Sequence, residues 1–326
     1  MASKLLELNG EIRPILTEYA RGTRNPGHVL EQILPVALVE KELVNVPTFG
    51  EEEFQEEDTE RAVDADSNVA DIDDATETPI QLVEHDLEAK VDYRKKKAAF
   101  YNYERRAQVI TTRKVALKVE LARAAELSNA DNYADDNSVD LDTSNSGHDQ
   151  FSDYTNSNPI KYVKEKKLVI SGSIGLEPNT LLIGDLTYKT LTEHPAILER
   201  IKYSQTGIID MELLKKVFEI ENIVVSRSRY RPKGAAKTSA KQYIWGNDCL
   251  LCYVDGAKSN IDSGDLNPSL GYTFRLKDSE LGIMPIVFSY KPGNGKITYI
   301  NTTDILLPKI IMPSAGFLMK NCVSSS

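Results

Sequence analysis

The sequence predicts an α+β fold, and three stretches carry that expectation. Residues 178–225, PNTLLIGDLTYKTLTEHPAILERIKYSQTGIIDMELLKKVFEIENIVV, alternate short apolar runs with amphipathic segments. From Tyr93 to Leu127 there is neither Gly nor Pro, and strong helix formers dominate. After residue 240 the apolar residues fall in short β-rich runs, at 243–246, 250–254 and 272–274. With 326 residues, 41% hydrophobic and 27% charged, the chain is long enough to bury a substantial core in one large or two ordinary domains. The N-terminal MASKLLELNGEIRP is too polar for a signal peptide, and no apolar run approaches the ~20 residues of a membrane span. Cytoplasmic synthesis and no membrane partner are therefore expected.

Charge is distributed unevenly. Net charge is −10, yet residues 51–92 carry 17 acidic and 2 basic side chains, which leaves about +5 for the remainder (−10 plus 15). No helical apolar stripe runs through most of that segment, while Ile80, Leu82, Leu87, Ala89 and Val91 alternate as in a strand. Two readings follow: a disordered acidic insertion, or an extended two-stranded arm that needs a neighbour to fold against. Directly after it, Phe100, Tyr103, Ala107, Ile110, Leu117, Leu121 and Ala124 form a three-four stripe on a helix expected to run ~35 residues, or ~50 Å. A coiled-coil dimer is the competing reading, weakened by a stripe of alanines and aromatics.

The polar stretch 128–158 reads as loop, closed by Asn158 and Pro159 as N-cap and first residue of a short cationic helix from Ile160 to about Lys167. Within 178–225 the apolar run Leu181-Leu182-Ile183 ends at Gly184, Pro195 interrupts the amphipathic pattern, Gly207 ends that unit, and Leu213, Leu214, Val217 and Phe218 mark another helix before Ile223-Val224-Val225. By physics alone this is a small α/β unit without catalytic side chains. A basic loop follows, SRSRYRPKGAAKTSAKQ, with Arg227, Arg229, Arg231, Lys233, Lys237 and Lys241 and no acidic residue. It reads as a solvated mobile loop or as an anion and nucleic-acid contact.

Enzyme signatures fail on spacing. Gly293-Asn294-Gly295-Lys296 has Tyr290 and Ile297 where a phosphate loop needs other residues, so it reads as a hairpin turn. Asp64, Asp66 and Asn68 begin like a calcium loop, but Val69 and Ala75 stand where Gly and Glu are needed. Cys249 and Cys252 lie on opposite faces of one apolar strand and read as core thiols. His28, His85, His148 and His194 have no nucleophile or metal-ligand partner by spacing. No catalytic, metal or cofactor residue is assigned.

PNTLLIG at 178–184, the His194-Pro195 break and RIKYSQTG at 200–207 resemble the A-domain of tailed-phage major capsid proteins, the Hong Kong 97 fold. FSDY at 151–154, SNPI at 157–160, PSLGYTF at 268–274 and the tail TDILLPKIIMPSAGFLMKNCV add to the likeness, which spans about 80–323 and is specific over 150–225 and the C-terminal strand. The resemblance implies an N-terminal arm in 1–50 and an extended acidic E-loop in 51–92. It implies a peripheral domain on a long spine helix in 93–150, completed by 300–326 with the last strand returning to the spine side, and a globular axial A-domain in 151–299. The function implied is an icosahedral shell around double-stranded DNA, built from hexamers and pentamers, with portal and separate scaffold proteins as partners, decoration proteins as further ones, and non-specific contact with the packaged DNA.

Interface candidates are Glu51, Glu52, Glu53, Glu56, Glu57 and Asp58 on the arm, against Lys95, Lys96, Lys97, Arg105 and Arg106 on the spine of an adjacent subunit. The six basic residues of 227–241 are candidates for the capsomer axis. Lys90 is the one lysine of the arm and lies near its base, which argues against covalent cross-linking; Met1 argues for a separate scaffold. An encapsulin compartment of the same fold is the alternative, and from another class, a nucleic-acid-binding protein with an acidic regulatory arm.

Overall fold

The computed structural model describes residues 11–22, 27–48, 60–61, 68, 76–134, 136–142, 149–202, 210–255, 261–262 and 267–324. Its first elements are β1 (Glu11–Ile12), α1 (Pro14–Gly22), a 3-10 turn at Leu30–Gln32 and β2 (Val36–Val39). β3 (Leu43–Thr48) and β4 (Thr76–Gln81) pair antiparallel, from Leu43 against Gln81 to Thr48 against Thr76. Val46, Ile80 and Leu82 anchor the base of this arm among Ala37, Tyr272 and Met284. Of the expected alternation, Ile80 falls on β4 and Leu87, Ala89 and Val91 on the next strand, Val83–Asp92, while Leu82 is the buried link between the two strands. The acidic run Glu51–Asp58, Asp64, Asp66 and the hairpin tip lie outside the described residues.

β5 (Val83–Asp92) leads into α2 (Tyr93–Ala98) and α3 (Tyr103–Ser128). The expected single helix is therefore broken. Ala99 is extended, with φ −78° and ψ 133°, and the Asn102 side chain accepts from the Arg105 amide at 3.0 Å to start a new helix. Three aromatics in Phe100-Tyr101-Asn102-Tyr103 propagate a helix poorly, and Asn competes as a cap. The 26 residues of α3 span about 39 Å. Its buried face also differs from the expected stripe: Phe100 is fully exposed and Ile110 is 43% exposed, while Gln108, Thr111, Thr112, Glu120 and Arg123 are buried beside Ala107, Val115, Val119 and Leu127.

Beyond β6 (Ser138–Asp140), α4 (Pro159–Ile174) begins on the Asn158 cap, as the sequence predicts. It runs two turns past the expected end, because only Gly175, with φ 66°, supplies a left-handed terminator. β7 (Thr180–Gly184), α5 (Asp185–Glu193), α6 (Pro195–Ile201), α7 (Met211–Phe218) and β8 (Asn222–Ser226) follow the sequence pattern closely. Gly207 lies outside the described residues. Gly184 is required by close approach: a Cβ there would overlap the Gly246 carbonyl oxygen. β9 (Arg229–Tyr230) and β10 (Gln242–Tyr243) turn the basic stretch into a hairpin, and β11 (Cys249–Cys252) is wholly buried.

The remaining strands are β12 (Ile261–Asp262), β13 (Gly271–Asp278), β14 (Gly282–Ile283), β15 (Ile286–Tyr290), β16 (Ile297–Ile310) and β17 (Gly316–Lys320). β15 and β16 are antiparallel across the Gly293–Gly295 turn, with φ 59° and 69° at the two glycines. An eight-stranded sheet runs β1-β15-β16-β13-β2-β12, with β5 on the other edge of β16 and β14 on β13. A five-stranded sheet, β6-β17-β11-β7-β8, mixes parallel and antiparallel pairs. α3 packs across β16 and β5, whereas the final strand β17 sits between β6 and β11 in the smaller sheet. Cys249, Cys252 and Cys322 are free and buried in the core around that sheet, where Trp245, Phe218 and Phe317 also lie.

Candidate functional site

The candidate surfaces are two cationic patches and a buried seam that positions one of them. On the first patch, Asp92 caps α2 by accepting from the Arg94 amide at 2.8 Å, and Lys95, Lys96 and Lys97 fill its last turn, where the helix dipole favours cations. All three lysines are exposed. Lys96 forms an ion pair with Glu104 at 2.8 Å. Across the break, Tyr101 and Tyr103 stack with centroids 5.9 Å apart, Arg106 lies 5.2 Å over Tyr101, and Arg105 lies 4.4 Å over Tyr19. The helix break thus brings Lys95–Lys97 and Arg105–Arg106 to one elbow, with Phe100 projecting beside them. The sequence pattern did not reveal the elbow; Asn102 within the aromatic run was the one local signal that could have marked it.

The second patch is the β9–β10 hairpin. Arg227 reaches Asp185 at 3.3 Å and lies 5.5 Å over the Tyr188 ring. Arg229 lies 4.1 Å over the Tyr243 ring and donates to its hydroxyl, which in turn donates to Asp185 at 3.0 Å. Burial raises the Asp185 carboxyl, but hydrogen bonds from Lys189 and Tyr243 and the charges of Lys189 and Arg227 outweigh it and leave it below the ordinary range. Arg231 closes the turn onto the Ser239 carbonyl at 3.2 Å. Lys233, Lys237 and Lys241 are exposed. Asp185 therefore compensates one edge of a patch that the local sequence shows as purely cationic.

Beneath α3 lies the seam. Glu120, 1% exposed, accepts from the amides of Val29 at 2.8 Å and Leu30 at 3.1 Å. Arg123, also buried, donates to Thr273 at 3.0 Å and pairs with Glu31 at 3.4 Å and Glu120 at 3.6 Å. Arg275 pairs with Asp304 at 3.1 Å, and Thr111 and Thr302 share a hydrogen bond of 2.8 Å. Burial raises the Asp304 carboxyl although Arg275 and Arg123 act to lower it. Of these groups, Glu31, Arg123, Arg275, Thr302 and Asp304 border a cavity of about 410 Å³ between α1, α3 and the large sheet. Burial lowers His28, with Glu120 opposing and Arg123 reinforcing the shift, and it lowers His85, with Asp304 opposing and Lys118 reinforcing. His194 is buried as the α6 cap: its Nδ1 accepts from the Ala196 amide at 3.2 Å, and its Nε2 faces the Ser157 hydroxyl at 3.0 Å. His148 lies outside the described residues. Among the described residues no cluster of three or more His, Cys, Asp or Glu is arranged to hold a metal, and no helix is long and apolar enough to cross a membrane.

A sequence model of the family described as phage major capsid protein E matches residues 94–263. The major capsid protein of Burkholderia phage BcepMu is 35% identical over 308 residues, covering 94% of this chain and 95% of that one. The chain belongs to the phage major capsid protein E family. It is the major capsid protein of a phage and forms the virion capsid. A phage-related protein from Bordetella bronchiseptica RB50 shares its fold with a TM-score of 0.76 and 27% identity, over 97% of this chain and 99% of that one. At the level of fold alone, the SrpI encapsulin of Synechococcus elongatus PCC 7942 superimposes with a TM-score of 0.52 and 13% identity, over 94% and 91% of the two chains. The encapsulin reading thus rests on a distant likeness, and a phage capsid subunit is favoured over it. The family is a structural capsid family rather than an enzyme family, and its members assemble into capsid shells.

Proposed function

We propose that this subunit assembles as hexamers and pentamers into an icosahedral shell around the double-stranded DNA of a tailed bacteriophage. The near-full-length match to a phage major capsid protein carries this reading. The segment joining β3 and β4 serves as the arm between subunits, while β5 and β12 to β15, which lie in the eight-stranded sheet, join α3 in the periphery, and the five-stranded sheet with its helices gathers at the capsomer axis. Glu51, Glu52, Glu53, Glu56, Glu57 and Asp58 of one subunit meet Lys95, Lys96, Lys97, Arg105 and Arg106 of the next. Such charge matching sets orientation and register more than affinity. Small contacts suffice, because repetition places each one at high effective concentration.

Around an axis, the hairpins with Arg227, Arg229, Arg231, Lys233, Lys237 and Lys241 would repel one another. Asp185 relieves part of this, and bound anions or DNA phosphates the rest. Portal and separate scaffold proteins complete assembly, and decoration proteins are further partners. Negative-stain electron microscopy of the purified chain and of lysates tests the reading. Closed shells with DNA are expected, and shells packed with a cargo protein would support the encapsulin instead. Reversing Lys95, Lys96 and Lys97 to Glu is expected to abolish assembly; shells of normal yield from that variant would refute the arm contact.

A further inference from the structure

The five-stranded sheet brings two of the three cysteines together. Cys249 opens β11 and pairs with Met319 of β17 in antiparallel register. Just past β17, Asn321 takes a left-handed turn, with φ 51°, and Cys322 comes back beside the start of β11. The Cys322 amide donates to the Asn247 carbonyl at 3.0 Å, and the Asn321 amide donates to the Asp248 carboxylate at 2.9 Å. The turn is thereby fastened to the two residues that precede Cys249. The Cys322 sulfur faces both the thiol and the backbone amide of Cys249, and both cysteines lie near the Tyr162 hydroxyl of α4. Cys252, three positions further along β11, falls on the opposite face of the strand.

Thiol–disulfide exchange needs a thiolate, and burial pushes the Cys322 thiol up, so the closed core reacts slowly. Cys322 lies beyond the last strand, however. Its backbone is held by two hydrogen bonds, one to Asn247 and one from the Phe151 amide at 2.7 Å, rather than by a ladder. Breaking those few bonds exposes its sulfur while β11 stays paired with β7 and β17. We propose that Cys249 and Cys322 form a latent disulfide, closed by a low-molecular-weight disulfide outside the cell, that staples the segment after β17 to the middle strand of the small sheet. The Cys322 thiolate attacks one sulfur of the small disulfide, forming a mixed disulfide and releasing one small thiolate. Cys249, its proton given up to water, then attacks the Cys322 sulfur and releases the second. Two protein thiols are oxidised, and one small disulfide is reduced to two thiols. This rests on the capsid reading, because a virion subunit is made in a reducing cytoplasm and persists outside it.

The test incubates the full natural chain with glutathione disulfide or with dithiothreitol, then denatures it in iodoacetamide and maps its peptides by mass spectrometry. The reduced sample should carry three alkylated cysteines. The oxidised one should carry alkylated Cys252 alone, with one cross-linked peptide that joins Cys249 to Cys322 within a single chain. Closing a loop of about 70 residues restricts the unfolded chain, so the urea midpoint should rise by about 1 M or more on oxidation. Cys322→Ser should lose both the cross-link and that rise. Three alkylated cysteines after prolonged oxidation would overturn the proposal, as would a glutathione adduct on Cys322 that never resolves or a cross-link made through Cys252. The thiol count is read on the subunit whether or not it assembles. Free thiols therefore overturn the disulfide and leave the capsid reading standing, whereas failure of that reading would appear as an absence of shells.

Discussion

Replacing Arg123 with Met should cost the subunit about 3 to 5 kcal/mol at pH 7.5. The side chain is 5% exposed and its neighbour Glu120 is 1% exposed, so the charge left behind on Glu120 cannot be taken up by water. Glu31 is 41% exposed and is solvated without its partner, so its 3.4 Å contact adds little. Thr273 keeps its own hydrogen bond to the Leu34 carbonyl at 2.9 Å and loses only the incoming one from Arg123. Most of the penalty therefore comes from Glu120, which retains two backbone donors and no cation. With a urea slope of about 3 kcal/mol/M, the unfolding midpoint of the unassembled subunit should fall by roughly 1 to 1.7 M. Adding Glu120→Gln removes the stranded charge while keeping an acceptor for the Val29 and Leu30 amides. The double variant should therefore recover about 1 to 3 kcal/mol relative to the sum of the singles. A loss below about 1 kcal/mol for Arg123→Met, or strict additivity in the double variant, would refute the claim that these charges form one buried unit.

Acidification should destabilise the subunit. His28, His85 and His194 are all held below the ordinary imidazole value by burial, so each is neutral in the fold and protonates more readily when unfolded. Their contribution is fully present above about pH 6.5 and is lost as pH falls from there through the lowered folded values. Asp304, whose carboxyl is raised by burial, acts in the opposite direction. Urea midpoints at pH 7.5 and 5.5 check this, and an equal or higher midpoint at 5.5 contradicts it. Gly184→Ala should cost about 1 to 3 kcal/mol, because the Gly246 carbonyl oxygen occupies the space of the new methyl and Gly184 ends the fully buried strand β7; an unchanged midpoint would mean the backbone gives way freely.

The elements most legible in the sequence were those with local causes. In 178–226, Gly184, Pro195 and the apolar spacing mark the boundaries of β7, α5, α6, α7 and β8 with signals only a few residues apart. Asn158 and Pro159 did the same for the start of α4. The face of α3 was not legible, because its buried side is polar and its partners are remote. Thr111 meets Thr302, Arg123 meets Thr273, and Glu120 meets the amides of 29 and 30, between 90 and 191 residues away. An apolar-stripe reading necessarily chose Phe100 and Ile110 instead. The cationic character of the elbow and hairpin was visible as composition, whereas the compensation by Asp185, 42 positions before Arg227, was not.

That polar seam has a structural logic. An apolar helix face tolerates sliding along a sheet, since dispersion contacts are non-directional. Hydrogen bonds and ion pairs from Thr111, Glu120, Arg123 and Glu126, which accepts from the Ile310 amide at 3.2 Å, hold α3 at one axial position, and a displacement by a single turn would strand Glu120 and Arg123 without partners. The helix lies across β16, which itself pairs with β5, β13 and β15. Fixing α3 thereby fixes the elbow at its start relative to the strand that continues into the arm. In the proposed contact between one copy's arm and another copy's elbow, an error in that offset would recur at every copy. The net stability given up by burying charges instead of leucines is offset by a single, repeatable geometry.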